Sequence, residues 1–281
     1  MKPFLTFTPT LPICGKVNKK CQSQKAERRI LDTESGTRQP KRIICNWIFL
    51  VACIWIFFIS GCRKIDEKYN PPPPQVVTDI DGNIYHTITV GDQVWLAENL
   101  RTTRYRNGDP LSNVTSPADW STLKTGAYCA YLNLPENAAV YGYLYNGHAI
   151  GDDRNICPPG WHVPSGAEWE TLIRFLGGEL VAGGKLKEAG LGHWENPNTG
   201  ADNCIGFTAL PAGYRNESGV FGNQHISAIF WSSSGYNTDH QWYSYLYNYY
   251  EGIYRDFFHD KQHGFSVRCI YDYVIGNPEK E

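Results

Sequence analysis

The stretch Cys157–Gly178, "CPPGWHVPSGAEWETLIRFLGG", carries the clearest local structural signal in the chain. Ser165, followed three residues later by Glu168, has the spacing of a capping box, in which each side chain bonds the other residue's backbone N–H. Apolar residues then recur at the spacing of one helical face, at Trp169, Leu172, Ile173 and Leu176. Gly177-Gly178 ends the pattern, because glycine is common just past a helix C-terminus. We therefore predict a helix over 165–176 and assign Glu168 to its cap rather than to catalysis.

Short strands are predicted on both sides of this helix, separated by Gly, Asn and Asp turns. Before it, the predicted strands form a meander of Val76–Ile80, Ile84–Val90 and Gln93–Leu96. After it, they are Phe207–Leu210, Gly213–Arg215, Ile229–Ser232, Gln241–Tyr249, Ile253–Phe258 and Phe265–Ile270. Residues 101–127 are predicted to be loop, and Val140–Ile150 mixes a helical face with two glycines. Many short strands with few helices indicate an α+β domain.

The N-terminal part of the chain has a different composition, since all eighteen tyrosines follow Cys62. The almost wholly apolar run Ile43–Ile59 follows Lys41-Arg42 and leads into "ISGC". This arrangement resembles the lipobox of a bacterial lipoprotein, which implies cleavage before Cys62 and acylation of that cysteine. A transmembrane helix is the alternative, but seventeen residues are at the short limit of a span. A span would also leave the Ser-Gly-Cys sequence unexplained.

Four parts make up the predicted organisation: a leader and lipoprotein signal segment at 1–61, a lipid-anchored linker at 62–75, a globular domain at 76–273, and a tail at 274–281. The linker contains "PPPP", a stiff polyproline II spacer. Asp66-Glu67 resembles the surface-export signal of Bacteroidetes lipoproteins. We expect an outer membrane lipoprotein on the cell surface, with a single-span membrane anchor as the alternative. A net charge of −2 predicts no nucleic-acid partner, because phosphate binding needs a basic face.

The globular domain resembles one family through eight segments in order. They are "DIDGNIY", "VWLAENL", "YGYLYN", "CPPGWHVPSGAEWETL", "GGKLKE", "GFTALPAGYRNESGVF", "FWSSS" and "GFSVRC". Together they closely resemble the Fibrobacter succinogenes major paralogous domain, or FISUMP domain, which occurs on secreted and lipid-anchored bacterial proteins. More distantly, "HVPSGAEWETL" is similar to the "RLPTEAEWE" signature of formylglycine-generating enzymes. That similarity implies a C-type-lectin-like fold with short antiparallel strands and about two helices, at Val140–Ile150 and Ser165–Leu176.

Four cysteines fall in the globular domain, at Cys129, Cys157, Cys204 and Cys269. An even number beyond the inner membrane suggests disulfides, although the sequence allows three pairings or buried free thiols. The C-type-lectin-like resemblance implies a bridge between Cys157 and Cys269, with Cys129–Cys204 as its complement.

Motifs for catalysis or metal binding are incomplete in this chain. Formylglycine-generating relatives hold copper with a close pair of cysteines near the C-terminus, where this chain has only Cys269. Glu195–Asn198, "ENPN", differs from the calcium motifs of lectins, although the oxygen-rich "NPNTGADN" could take an ion. His259 and His263 have the spacing of zinc ligands on a helix, but they lie between two strand patterns without a third ligand. We expect no catalytic residue, no metal and no cofactor.

The tyrosine-rich stretch Gln241–Phe258 is the candidate binding surface. By strand alternation, Tyr243, Tyr245, Tyr247 and Tyr249 share one face, opposite Trp242, Ser244, Leu246, Asn248 and Tyr250. Aromatic rings pack on the apolar faces of sugars while polar groups fix their hydroxyls. The predicted binding residues are Trp231, Tyr236, Trp242, Tyr245, Tyr247 and Tyr249.

Two interpretations of this stretch stay open. Tyrosine also suits a half-buried strand, so scaffold packing alone can explain the row. In that case Trp242 and Leu246 anchor the core, and the exposure of Tyr245, Tyr247 and Tyr249 decides between the two. The favoured function is a non-enzymatic, surface-displayed module that binds a glycan or an envelope partner. The alternatives are a structural envelope component and an enzyme related to formylglycine-generating proteins.

Overall fold

The computed structural model of the chain describes residues 74–257 and 259–272. The predicted leader, the lipobox with Cys62, most of the linker and the tail lie outside these residues, so those assignments stay predictions. Within the described ranges, no helix is long and apolar enough to cross a membrane.

Short strands dominate the described residues, and the helices are few. The strands are β1 (Val76–Thr78), β2 (Ile84–Val90), β3 (Gln93–Leu96), β4 (Ser112–Asn113), β5 (Ala127–Cys129), β6 (Leu144–Asn146), β7 (Trp161–His162), β8 (Tyr214–Arg215), β9 (Phe221–Gly222), β10 (Ser227–Gly235), β11 (Gln241–Tyr247), β12 (Tyr254–Asp256), β13 (Gly264–Phe265) and β14 (Ile270–Tyr271). The helices are α1 (Pro117–Ser121), α2 (Pro135–Tyr141), α3 (Gly147–Ile150), α4 (Gly166–Phe175) and α5 (Glu179–Leu186). The fold is α+β, as predicted.

Three sheets organise these strands. Their orders are β1-β2-β3-β14-β7, β10-β11-β12 and β4-β5-β6-β13-β8-β9. Pairing is antiparallel except between β4 and β5. Because β14 lies between β3 and β7, the end of the domain is hydrogen-bonded to its beginning.

Helix α4 confirms the prediction made from the capping box. The Ser165 hydroxyl accepts the N–H of Glu168, and the Glu168 carboxylate accepts the N–H of Ser165 at 2.7 Å. Gly177 and Gly178 follow the helix at φ of 102° and 99°, values that glycine adopts without strain. His162 bridges this cap to the chain end, since its ring nitrogens lie 2.8 Å from Glu168 and 2.6 Å from Asp272.

The meander of β1, β2 and β3 is also confirmed. Asp79 explains the first turn, because its carboxylate accepts the N–H groups of Asp81 and Asn83 and the hydroxyl of Tyr85. This local bonding within the turn sets the register of β1 and β2, the two strands that it joins.

The helix expected over Val140–Ile150 is wrong. Helix α2 ends at Tyr141, Gly142 takes φ of 77°, strand β6 follows, and α3 starts at Gly147. Strand β6 pairs with both β5 and β13, so sheet pairing overrides the helical spacing of the apolar residues. A Cβ on Gly142 would also press on Asn99 at 2.7 Å, so this position needs glycine for space as well.

Several other predicted boundaries change. Phe207–Leu210 forms no strand beyond an isolated bridge at Ala209, and Phe265–Ile270 divides into β13 and β14. The loop predicted over 101–127 contains β4 and α1, and helix α5 was not predicted. "HDKQHG" is no hairpin loop, because β12 pairs with β11 while β13 pairs with β6 and β8.

Among the cysteines that the structure describes, Cys157 and Cys269 form a disulfide, as predicted. It spans 112 residues, and closing a loop of about 100 residues is worth about 4.7 kcal/mol in the chain-entropy model. The predicted Cys129–Cys204 bridge is wrong. Cys129 is a buried free thiol on β5, whereas Cys204 is exposed, so the two side chains do not share an environment.

Two buried arginines, Arg215 and Arg268, donate hydrogen bonds to backbone segments that lie outside regular strands. Arg268 donates to the carbonyls of Ala97 and Phe207 and to the amide oxygen of Asn99, at 2.6–2.8 Å. Arg215 does the same for Val114 and other carbonyls of its neighbourhood. These guanidinium groups replace the backbone partners that regular strands would have supplied.

Candidate functional site

The three-stranded sheet of β10, β11 and β12 carries the tyrosine row on one face. Directly opposed residues share a face, and the register pairs Tyr245 of β11 with Ile229 of β10 and Tyr254 of β12. One step along, Tyr243 is paired with Trp231 and Asp256. This face therefore holds alternate residues of all three strands.

Exposure increases along this face. Trp231 and Tyr243 are buried in a core cluster, where their rings contact Phe265 at 4.5 and 5.2 Å. Tyr245 and Tyr247 are half-buried. Beyond them the row opens to solvent, so the same face is core at one end and surface at the other.

Five tyrosines form the open end, which we call the tyrosine surface: Tyr245, Tyr247, Tyr249, Tyr250 and Tyr254. Tyr249 is 59% exposed and Tyr254 is 38% exposed, and these two are the most accessible tyrosines of the surface.

Ring stacking organises the tyrosine surface. Tyr254 lies between Tyr245 and Tyr250, with centroids 5.0 and 4.6 Å away and nearly parallel planes. Tyr249 stacks on Tyr247 at 4.9 Å, and Tyr247 meets Tyr245 edge-on at 5.6 Å. Such pairs are worth about 0.5–1.5 kcal/mol each beyond area burial. The inner ring faces thus hold the cluster together, and the surface offers hydroxyl edges and the outer faces of its end rings.

The phenols of Tyr245 and Tyr247 stay protonated at neutral pH. Burial, with the nearby Asp256 carboxylate second, raises the pKa of Tyr245 to about 12. Burial and the neighbouring Tyr249 also raise the pKa of Tyr247. Each of these hydroxyls can therefore donate as well as accept a hydrogen bond.

Lys187 holds the turn that displays the tyrosines. Its side chain is fully buried, and Nζ donates to the carbonyls of Thr199, Tyr247 and Tyr250 at 2.8, 3.0 and 2.9 Å. Burial lowers the pKa of Lys187 to about 8, partly offset by Glu251. The group still carries its charge at neutral pH, where its three N–H donors match three acceptors.

Helix α5 supplies the rest of the support for this turn. Gly184 donates its N–H to Glu251, and Ile253 donates to Glu179, at 2.6 and 2.8 Å. A Cβ on Gly183 would collide with the carbonyl of Gly252, so the helix approaches the turn through glycine. The "GGKLKE" segment is therefore part of the scaffold that presents the tyrosine surface.

The opposite face of the sheet is covered. Phe230 and Leu246 are buried against α4, where Trp169 lies 5.7 Å from Phe230. At the rim, Arg255 forms an ion pair with Glu170 at 2.5 Å. This face is part of the second core cluster.

Trp242 and Tyr236 lie at the rim of that covered face. Their rings are 6.4 Å apart, and Tyr236 stacks on Phe257 at 3.9 Å. Arg255 places its guanidinium 5.9 Å from the centre of the Trp242 ring. Trp242 is half-buried, so Leu246 is the core anchor that was expected and Trp242 is not.

The predicted binding residues thus fall into three environments. Tyr245, Tyr247 and Tyr249 lie together on the tyrosine surface, whereas Tyr236 and Trp242 lie at the rim of the other face. Assigning Trp231 to a binding surface is wrong. It is fully buried, and its indole N–H donates to the carbonyl of Tyr145 at 2.7 Å.

Sequence reasoning placed Tyr250 on the wrong face and left Tyr254 and Asp256 without a role. Strand β11 ends at Tyr247, so the period of two stops before Tyr250, and the turn brings that ring back to Tyr254. The available signal was Gly252, a turn residue between two tyrosine-bearing segments.

The metal-binding candidates have other roles. His259 and His263 lie ring to ring at 4.2 Å, and His263 pairs with Glu217 at 2.9 Å. The side-chain amide of Asn198 donates its N–H groups to the carbonyls of Glu188 and Gly190. Across residues 74–257 and 259–272, no three His, Cys, Asp or Glu side chains are grouped to hold a metal ion.

A cavity of about 200 Å³ lies elsewhere, beside the disulfide, and Thr78, Arg106 and Cys157 are among its lining residues. Arg106 is committed to the carbonyls of Cys157 and Pro158 at 3.1 Å. The guanidinium of Arg106 is therefore already engaged with backbone carbonyls and is not free to bind a ligand.

Comparison with protein families identifies one relationship. A family model described as the Fibrobacter succinogenes major domain matches residues 88–271. Neither the comparison with curated proteins nor that with solved structures returns a match. The match covers well over half of the chain and includes the capped helix, the Lys187 segment and the tyrosine surface. The chain therefore belongs to the Fibrobacter succinogenes major domain family.

Proposed function

We propose that this protein is a non-enzymatic binding module whose tyrosine surface takes a glycan. The observation that carries the proposal is the placement of five neighbouring tyrosines at the open end of a sheet face, on a turn supported by Lys187. Contiguous exposed apolar patches, unlike single exposed apolar residues, mark interaction sites on protein surfaces.

The chemistry of the surface suits sugars. The outer faces of the end rings offer apolar area for the C–H faces of a pyranose, and protonated phenols offer donors and acceptors for its hydroxyls. Because the rings already stack on one another, little side-chain entropy remains to be lost on binding.

A glycan array and a cell-wall pull-down test this proposal with the full chain purified in detergent. We expect binding that falls about tenfold or more in a Tyr249→Ala/Tyr254→Ala double variant, the loss typical of binding hot spots. Tyr236→Ala is the matched control, since Tyr236 is 54% exposed but lies at the rim of the other face. Absence of binding, or equal loss in the control, would count against the proposal.

Display at the cell surface is a separate part of the proposal. Acylation of Cys62 would anchor the domain in the outer membrane, with the "PPPP" segment as its spacer. Labelling cells with a radioactive fatty acid should mark the wild-type chain and not a Cys62→Ser variant. Digestion of intact cells by added protease should remove the domain, whereas a periplasmic domain would be protected.

A structural role in the envelope is the alternative, and crosslinking in intact cells separates it from glycan binding. A stable protein neighbour that is unaffected by the Tyr249→Ala/Tyr254→Ala change would favour the structural role.

A C-type-lectin-like arrangement is the finer proposal for the fold. The Cys157–Cys269 bridge and the pairing of β14 with β3 support it, because both tie the last strand to earlier parts of the domain. The strand β6 within the expected first helix departs from it. An experimental structure superposed on C-type-lectin-like domains would decide the matter.

A further inference from the structure

The edge strand β12 places a charged residue on the tyrosine-bearing face of the sheet. The register places Asp256 directly across from Tyr243 on the tyrosine-bearing face. The next pair on that face, two residues along each strand, is Tyr245 with Tyr254. Asp256 is half-buried, and one of its oxygens accepts the N–H of Phe257 at 2.7 Å. A carboxylate thus lies at the edge of the ring cluster.

Two cations adjoin this region, Arg255 next to Asp256 in the chain and Lys187 under the turn, and both bind other groups. Arg255 is paired with Ser244 and so lies on the other face, where it binds Glu170 and the carbonyl of Gly166. Lys187 is buried beneath the turn, where its ammonium group donates hydrogen bonds to three backbone carbonyls. Neither cation can therefore meet a ligand that lies on the rings.

The surroundings at the Tyr243 end add to the negative potential. His259 stacks on Tyr243 at 5.0 Å, and burial lowers the pKa of His259, so the ring is neutral at neutral pH. The charges that act on His259 are the carboxylates of Asp256, Glu217 and Asp260.

We propose that Asp256 makes the tyrosine surface selective for amino sugars that carry a positive charge, over uncharged sugars, and against polyanionic glycans. Aromatic rings beside a carboxylate attract cationic groups through both the ring quadrupole and the full charge. Uronate or phosphate groups would meet like charge with no cation to compensate. This inference rests on the proposed function, because it assigns a ligand class to the same surface.

Three oligomers of different charge test it: chitosan oligomers, their N-acetylated chitin counterparts with the same β-1,4 linkage, and polyanionic oligogalacturonate. Calorimetry uses the full chain in detergent at mildly acidic pH, where the glucosamine amines are protonated. We expect chitosan to bind about fivefold tighter than chitin, the effect of one charge at contact distance in water, and oligogalacturonate not to bind.

The decisive variant is Asp256→Asn, which keeps the oxygen that accepts the Phe257 N–H. It should remove the preference for chitosan over chitin and leave the affinity for chitin unchanged. Asp119→Asn, the same charge change on exposed helix α1, should keep the preference. The inference is overturned if oligogalacturonate binds as well as chitin, if the preference survives in Asp256→Asn, or if all three oligomers fail to bind. Binding of other glycans in the array would still support the proposed function in that last case.

Discussion

The two faces of the β10–β11–β12 sheet are built from alternate residues of the same strands, yet one face is buried and part of the other is open to solvent. Leu246 and Phe230 lie under α4 in a continuous core. Tyr245 and Tyr247, one residue to either side of Leu246, lead to an open cluster of phenols. What differs is the cover, because a helix packs on one face only. Strand alternation therefore predicts which residues share a face but not which face is covered.

The largest expected effect comes from breaking the covered face. Leu246→Ala should lower the free energy of unfolding by about 3–4 kcal/mol, because it removes a fully buried side chain and leaves a cavity. Tyr249→Ala on the open face should cost less than about 1 kcal/mol, since Tyr249 is mostly exposed. Chemical denaturation of both variants measures the contrast, and equal losses would refute the assignment of the two faces.

The support of the open face provides the next largest effect. Lys187→Met keeps the length of the side chain but leaves three buried carbonyls without their donor, so we expect a loss of about 3 kcal/mol. Lys185→Met is the control, because Lys185 bonds a single carbonyl, that of Leu176. Thermal unfolding should rank Lys187→Met well below Lys185→Met. If the two melt together, the turn does not depend on the buried ammonium.

A smaller effect concerns pH and separates the capped helix from the tyrosine surface. The hydrogen bond to Glu168, aided by Asp272, raises the pKa of His162. Burial acts to raise the pKa of Glu168, but the bonds from His162 and Ser165 outweigh it and lower that pKa.

These two pKa shifts make folding stability depend on pH in opposite directions. The His162 contribution is complete below about pH 6.5, the unfolded value, and is lost as pH rises through the raised pKa. The Glu168 contribution is complete above about pH 4.3 and is lost as pH falls through the lowered pKa. Burial lowers the pKa of His148, His259 and His263, so their contribution to stability rises over this range in both proteins and cancels when the two are compared. The stability advantage of the parent over His162→Gln should therefore decline from pH 6 to pH 8. Affinity for an uncharged glycan should stay flat over the same range, because the raised pKa values of Tyr245 and Tyr247 keep their phenols protonated there. A parallel decline in affinity would show that the two regions are coupled.

Local interactions explain why some of the fold could be predicted from the sequence. Helix α4 follows from Ser165 and Glu168, which are three residues apart, and the meander follows from the turn at Asp81-Gly82. The helix expected over Val140–Ile150 failed because pairing with β5 and β13, which are distant in sequence, overrides the local spacing.

The site was partly predictable for the same reason. Tyr245, Tyr247 and Tyr249 were identified from strand alternation and do lie together. Trp231 was misassigned because its burial depends on Phe265, which is thirty-four residues away. Lys187 gave no local signal, since its three acceptors come from two separate segments.

We propose that the open face of the sheet is the binding surface, and not the rim of the opposite face where Tyr236 and Trp242 lie. Tyrosine footprinting of the full chain, by nitration and mass spectrometry with and without cell-wall polysaccharide, tests it most directly. We predict that Tyr249 and Tyr254 are modified in the free protein and protected by the polysaccharide, while Tyr236 is modified equally in both. Protection of Tyr236 with Tyr249 and Tyr254 unprotected would contradict the account.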